Sequence, residues 1–169
     1  MNFDKAFEIV IGREGGFTLN RADAGSWTGG KVGIGKLLGT KYGIAANTYP
    51  NEDIKNLSLD RAKQLYKRDF WNKAKCDQLP YGLRFHVLDV SVNSGVSRGI
   101  KTLQQALGIN VDGLIGNQTI NAAASQDQAG ILIRFYSFRI AFYTSLASFN
   151  TFGKGWMNRV SNNLKIGLL

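Results

Sequence analysis

Apolar residues at Phe3, Ala6, Phe7, Val10 and Ile11 fall on one face of a helix, and this spacing predicts a helix over 3–13 stopped by Gly15-Gly16. The period then breaks. Residues 17–48 (FTLNRADAGSWTGGKVGIGKLLGTKYGIA and its flanks) alternate briefly between polar and apolar positions among many glycines. That pattern predicts irregular loops with a small hairpin. Helical spacing returns at Ser58, a residue suited to cap LDRAKQLYKRDFWNKA, with Asp60 favourably placed in the first turn. Residues 82–94 are apolar on most sides, as expected of a central buried helix. Ser97 is the expected cap of a helix ending at Leu107, with Gly108 as its stop; VDGLIGNQ reads as a turn, and Thr119–Ser125 as a short helix. A long aromatic stretch at 128–149, interrupted by Arg134 and Arg139, precedes a last helix through GWMNRVSNNLKI. The expected fold is mainly α, with a small irregular or β region after the first helix. No repeat or linker divides residues 1–169, so one domain is expected.

Composition narrows the chemistry. Hydrophobic residues make up 44% of the chain and charged residues 20%, which is ordinary for a packed globular protein. No run of eighteen apolar residues predicts a membrane span. The N-terminus, with two acids before any apolar stretch, does not resemble a secretory signal. A net charge of +9 suits anionic partners: nucleic acid, anionic lipid or anionic cell wall. The basic residues are scattered rather than gathered in the block expected of a nucleic-acid-binding arm. A single cysteine, Cys76, and a single histidine, His86, leave too few ligands for zinc chemistry. His86 sits in the apolar run LRFHVLDV, where a packed histidine with one hydrogen bond is the simpler expectation than a catalytic base. Cys76 is expected to be a small buried hydrophobe. Carboxylate chemistry remains.

Glu14 stands where the first helix should give way to the glycine-rich loops. A helix C-terminus and neighbouring apolar groups such as Phe17 both disfavour a carboxylate and would raise its pKa, as a general acid requires. Arg13 acts in the opposite sense, and on the local sequence alone an ordinary solvated glutamate is the simpler expectation. Glycoside cleavage usually calls for a second acidic or water-positioning group. Asp23 in NRADAG and Thr40 in GTKYGIA are the candidates, although Asp23 equally suits a turn. Trp27, Tyr42 and Tyr49 supply flat faces in the loop region on which sugar rings could stack. Asn93, in VNSG, could line a cleft or cap a helix. Trp71 and Trp156 fit helical cores.

The segments REGGF, DAG and TKYGI, followed by FWNKAKCDQLPYG, LDVSVNSG and LQQALGINVDGLIGNQT, resemble in order the glycoside hydrolase family 108 muramidases of phage endolysins and related secretion-associated enzymes. RFYSF through GWMNRV resembles that family's C-terminal peptidoglycan-related segment. The resemblance implies a lysozyme-like α+β fold with catalytic motifs in 1–95 and a helical peptidoglycan-related portion in 96–169. It also implies that Glu14 is the proton donor, cleaving the β-1,4 link between N-acetylmuramic acid and N-acetylglucosamine. Phage-type lysozymes order a Glu, an Asp and a Thr in the manner of Glu14, Asp23 and Thr40. Here SWTGGKVGIGKLLG intervenes between the last two, which makes Thr28 a rival for the threonine role.

The expected protein is thus an endolysin-type muramidase with no metal or cofactor, acting as a monomer on bacterial peptidoglycan and drawn also to anionic outer-membrane lipid. It would be made in the host cytoplasm and act on the wall in the periplasm. Two alternatives from other classes are a non-catalytic peptidoglycan-binding protein and a cationic protein that disrupts membranes through 128–149.

Overall fold

Short-range signals decide most of the element boundaries in the computed structural model, which describes residues 1–12 and 15–167. In chain order these are α1 (Phe3–Ile11), β1 (Thr40–Lys41), β2 (Ile44–Ala45), α2 (Leu59–Tyr66), α3 (Arg84–Ser94), α4 (Val96–Leu107), α5 (Asn117–Ser125), α6 (Gln128–Thr144) and α7 (Phe149–Ile166). The architecture is mainly helical with a two-stranded antiparallel sheet in the segment after α1, a lysozyme-like α+β arrangement. The chain forms two compact units, one of Met1–Ala6 with Arg68–Leu169 and one of Phe7–Lys67. Among the described residues, no helix is long and apolar enough to cross a membrane.

Phe3, Ala6, Phe7 and Val10 of α1 are all buried, as their spacing requires. The helix nevertheless stops earlier than expected: Gly12, at φ +63°, turns the chain before Gly15-Gly16 is reached. In the Phe7–Lys67 unit, the Ser58 side chain accepts a hydrogen bond from the Arg61 amide at 3.1 Å and caps α2 as expected. Phe7 and Tyr66 meet edge to face, ring centroids 5.3 Å apart.

In the larger unit, α3 is buried from Phe85 through Ser91, which explains why its sequence shows no polar face. It packs on α4, and α4 packs on α6. Several boundaries differ from expectation, the start of α5 at Asn117 rather than Thr119 among them. The first turn of α4 begins at Val96 beyond Gly95, so Ser97 lies inside the helix rather than capping it. The last helix starts at Phe149 rather than at Gly155, and the Asp127 side chain caps α6 by accepting from the Gly130 amide at 2.7 Å. Trp71 is fully buried against Phe3, whereas Trp156 is half-buried and stacks on Tyr143. Cys76 is buried, and desolvation pushes its thiol well above the ordinary range.

A polar network crosses this core. Asp89 of α3 receives Arg139 of α6 at 2.6 Å and Arg159 of α7 at 2.6 Å, so one carboxylate ties three helices. Arg139 also donates to the Tyr143 hydroxyl at 3.0 Å. Next to it, His86 makes two hydrogen bonds rather than one: Nδ1 with the Tyr136 hydroxyl and Nε2 with the Gly167 carbonyl, each 2.7 Å. Burial lowers its pKa to about 4, against the Gly167 bond and Asp89, which pull upward.

His86 is therefore neutral at pH 7, and its expected effect on stability has a definite sign. Between pH ~6.5 and ~4 the unfolded chain binds a proton that the folded chain refuses, so stability falls by up to a few kcal/mol as the solution is acidified through that window. Because the chain has a single histidine, its imidazole NMR signals can be followed without assignment; a midpoint near pH 6.5 in the folded protein would contradict the buried network.

Candidate functional site

The sequence TKYGIA folds into a tight hairpin. Thr40 pairs with Ala45 and Lys41 with Ile44, which leaves Tyr42 and Gly43 as a two-residue turn at φ 51° and 73°. Positive φ at both positions is the type I′ turn whose twist suits a hairpin, but a bulky residue in that conformation is unusual. Its surroundings hold it there. The Tyr66 hydroxyl donates to the Tyr42 carbonyl at 3.1 Å, and the Tyr42 ring covers Gly15 so closely that a Cβ on Gly15 would stand 2.4 Å from a ring carbon. Lys41 Nζ lies 5.4 Å from the centre of the same ring. Tyr66→Phe should lower stability by about 1 kcal/mol by removing this bond, read as an earlier denaturant midpoint with an unchanged slope.

Backbone hydrogen bonds join the hairpin to the loops around it. Thr18 and Thr40 exchange amides at 2.8 and 2.9 Å, which gives β1 a neighbour on its other edge. The Ser26 carbonyl accepts from Leu38 and Gly39, and Asn47 donates to the Gly25 carbonyl at 3.1 Å. Trp27 forms a bridge with Leu37, and its indole N–H donates to the Arg21 carbonyl at 2.9 Å, so the half-buried ring is fixed in place.

The residues singled out from sequence fall as follows. Glu14 and Arg13 lie outside the described residues, and α1 ends at Ile11, short of the helix end expected there. Asp23 caps a short 3₁₀ turn, Ala24–Ser26: one carboxylate oxygen accepts from the Gly25 amide at 3.0 Å and the other from the Ser26 hydroxyl at 3.4 Å. Thr40 is half-buried, and its hydroxyl makes no hydrogen bond with the described residues. Thr28, by contrast, uses its hydroxyl to accept from the Lys36 amide at 2.9 Å. Tyr49 is half-buried and its amide donates to the Ala45 carbonyl. Thus Asp23, Trp27, Thr40, Tyr42 and Tyr49 share the Phe7–Lys67 unit. Asn93 belongs to the other unit, on the last turn of α3, and its side-chain amide donates back to the Asp89 carbonyl at 2.6 Å.

Sequence reasoning missed a groove in the smaller unit. Phe17, Leu19, Leu37, Leu38 and Ile54 line a cavity of about 220 Å³, with Glu52 at its edge. Glu52 holds Arg61 through both carboxylate oxygens, at 2.6 and 3.1 Å. Asp53 beside it lies below the usual carboxylate range because the Asn56 side chain and amide donate to it. The exposed apolar side chains Phe17 and Leu19, adjacent in sequence to the glycine pair, were the available signal. No three His, Cys, Asp or Glu side chains gather into a metal-binding group among the described residues.

Comparison with known proteins identifies the family. The model of the family described as glycosyl hydrolase 108 matches residues 7–95, and that of a predicted peptidoglycan domain matches residues 98–161. The solved structure of SagA from Brucella abortus is similar with a TM-score of 0.79 and 32% identity, covering 95% of this chain and 90% of that one. No curated protein matches. With more than half of its length matched, the chain belongs to the glycosyl hydrolase 108 family, and it is a glycosidase that acts on peptidoglycan in the bacterial cell wall.

Proposed function

We propose that the enzyme is a muramidase that hydrolyses the β-1,4 bond between N-acetylmuramic acid and N-acetylglucosamine, with Glu14 as the proton donor. The observation that carries this reading is the family match over 7–95, which contains Glu14 in its EGG motif. Glu14 delivers its proton to the bridging oxygen while the bond breaks through an oxocarbenium-like state. Of the candidates for the second group, Thr40 is favoured. Its backbone amide and carbonyl are both bonded to Thr18 and its hydroxyl is uncommitted among the described residues, whereas Asp23 and Thr28 use their side chains to hold loops. Thr40 then positions the attacking water. Trp27, Tyr42 and Tyr49 offer faces for sugar rings, whereas Asn93, in the other unit, spends its side-chain amide on the Asp89 carbonyl.

In this reading 1–95 carries the catalytic motifs and 96–169 the helical peptidoglycan-related portion. The protein works as a monomer, is made in the cytoplasm of a bacterial host, and lyses the cell from the periplasmic side in the manner of a phage endolysin. Attraction to anionic lipid is supported by α6 and α7, which expose Ile133, Phe138, Phe152 and Leu164 in a stretch with no acidic side chain after Asp127.

Digestion of purified peptidoglycan by wild type and Glu14→Gln, with fragments identified by mass spectrometry, tests the proposal. Reducing muramic acid ends from wild type and none from the variant are expected. Anhydro ends would make the enzyme a lytic transglycosylase, and equal cutting by a folded Glu14→Gln would remove Glu14 from the mechanism.

A further inference from the structure

The larger unit holds a groove of about 490 Å³ that none of the carboxylate chemistry uses. That size lies within the range of about 300–1,000 Å³ common for small-ligand sites. Its apolar surface comes from Val96 and Ile100 of α4 and from Leu114 and Ile115, while Lys73, Lys75 and Ser97 supply the polar groups. Leu114 is 69% exposed and stands on a well-fixed turn. The turn is fixed by Gln104, which is buried: its side-chain oxygen accepts from the Gly113 amide at 2.8 Å, and its nitrogen donates to Asp112 at 2.7 Å and to the Leu114 carbonyl at 3.0 Å. Asp112 in turn accepts from the Leu114 amide at 2.8 Å. A buried, satisfied network thus fixes the backbone that carries the exposed Leu114 side chain.

The cations are placed on purpose-built backbone as well. Lys75 adopts the left-handed conformation at φ 46° and anchors its ammonium to the Ile115 carbonyl at 2.9 Å, leaving two N–H donors. Lys73 stands on the same wall, its ammonium 3.3 Å from Asp69 and its side chain 62% exposed. The nearby acids are engaged: Asp69 with Arg68 and Lys73, Asp112 with Gln104 and Leu114.

We propose that this groove binds the stem peptide of peptidoglycan, carboxylates on Lys73 and Lys75 and alanine-sized side chains on Val96 and Leu114, with buried Ile100 as the floor. Two features choose a peptide over the glycan strand. No aromatic face lines the groove, and pyranose rings favour such faces. Cations next to apolar surface complement a short acidic peptide with small apolar side chains. The groove also joins Ile100 and residues 113–116, in the region matched as a peptidoglycan domain, to Val96, Ser97 and the two lysines that precede it in the chain. The inference rests on peptidoglycan as the substrate, and not on Glu14 or on which bond is cut.

A synthetic stem tripeptide, L-Ala–γ-D-Glu–diaminopimelate, titrated into the full-length ¹⁵N-labelled protein provides the test. Saturable shifts confined to residues around Ser97, Gly113 and Leu114 are expected, weakening as salt rises. Leu114→Asp and Lys73→Glu, both at exposed side chains, should each weaken binding by about tenfold or more, the scale of one lost apolar contact or charge pair. Absence of shifts at millimolar peptide, or unchanged affinity in both variants, would overturn the proposal. So would equal binding to glycan strands stripped of their peptides together with no binding of the free peptide. Since the readout needs no turnover, loss of hydrolysis in Glu14→Gln leaves peptide binding unaffected, and the two ideas fail separately.

Discussion

Glutamine at position 14 should slow peptidoglycan hydrolysis by about 10²–10⁴-fold, the usual contribution of a positioned general acid. The side chain keeps its size and hydrogen-bonding capacity but has no acidic proton for the leaving oxygen. An alkoxide on a sugar is a poor leaving group at neutral pH, so the bond-breaking step itself should be affected. The loss should therefore appear in kcat and kcat/KM alike, with wall binding retained, because the interaction removed exists only in the transition state. Wild-type activity should also decline as the pH rises through the pKa of the acid, and the residual activity of the variant should lack that limb. A folded variant with full kcat would make Glu14 structural, and a variant with raised KM and unchanged kcat would make it a binding residue. Thr40→Val separates the second role: it removes the uncommitted hydroxyl but keeps a β-branched side chain suited to β1. A decrease in the hydrolytic rate without loss of stability is expected.

The parts of the fold that were legible in the sequence are those set by neighbours in the chain. Ser58 announces α2 because an N-cap acts within three residues. The all-round apolarity of 82–94 announces a buried helix whatever it packs against. Gly12 was harder to read, because Gly15-Gly16 is the louder signal although the single glycine before it already turns the chain. The hairpin was visible as a motif, yet its turn was not: Asn-Gly or Asp-Gly would mark a type I′ turn, and here a tyrosine occupies the first position. What stabilises it, the Tyr66 hydroxyl and the side-chain-free Gly15 beneath the Tyr42 ring, comes from 24 and 27 residues away along the chain. The Leu19–Leu37–Leu38 groove assembles in the same non-local way. Arg139 shows the limit most clearly. In sequence it interrupts an apolar stretch and suggests a cationic surface, but its side chain is 1% exposed and its partner Asp89 is fifty residues earlier. Arg134 likewise spends its guanidinium on the Ala106 carbonyl and Gln126. Loss of activity on changing either arginine would therefore report on folding before it reported on membranes.

Removing the charge at Asp89 should be the most destabilising conservative change in the larger unit. Asp89→Asn leaves Arg139 buried with no anion and Arg159 without its partner, and breaking one side of a buried ion pair costs about 3–5 kcal/mol. The guanidinium cannot respond by losing its proton, since arginine stays charged throughout the accessible range. Arg139 already has one nitrogen, Nη1, with no hydrogen-bond partner among the described residues, so the site has little reserve. Because the carboxylate joins α3, α6 and α7, the effect should be cooperative across the helices, with a drop in Tm of about 10 °C for a chain of this size. The comparison that decides the cause is a combined Asp89→Leu, Arg139→Met variant. If buried charge is the source of the loss, replacing both inner partners with apolar side chains should recover most of it, leaving only the half-exposed Arg159 unpaired. If the double variant is as unstable as Asp89→Asn, then the hydrogen-bond geometry among the three helices, rather than the uncompensated charge, holds this core together.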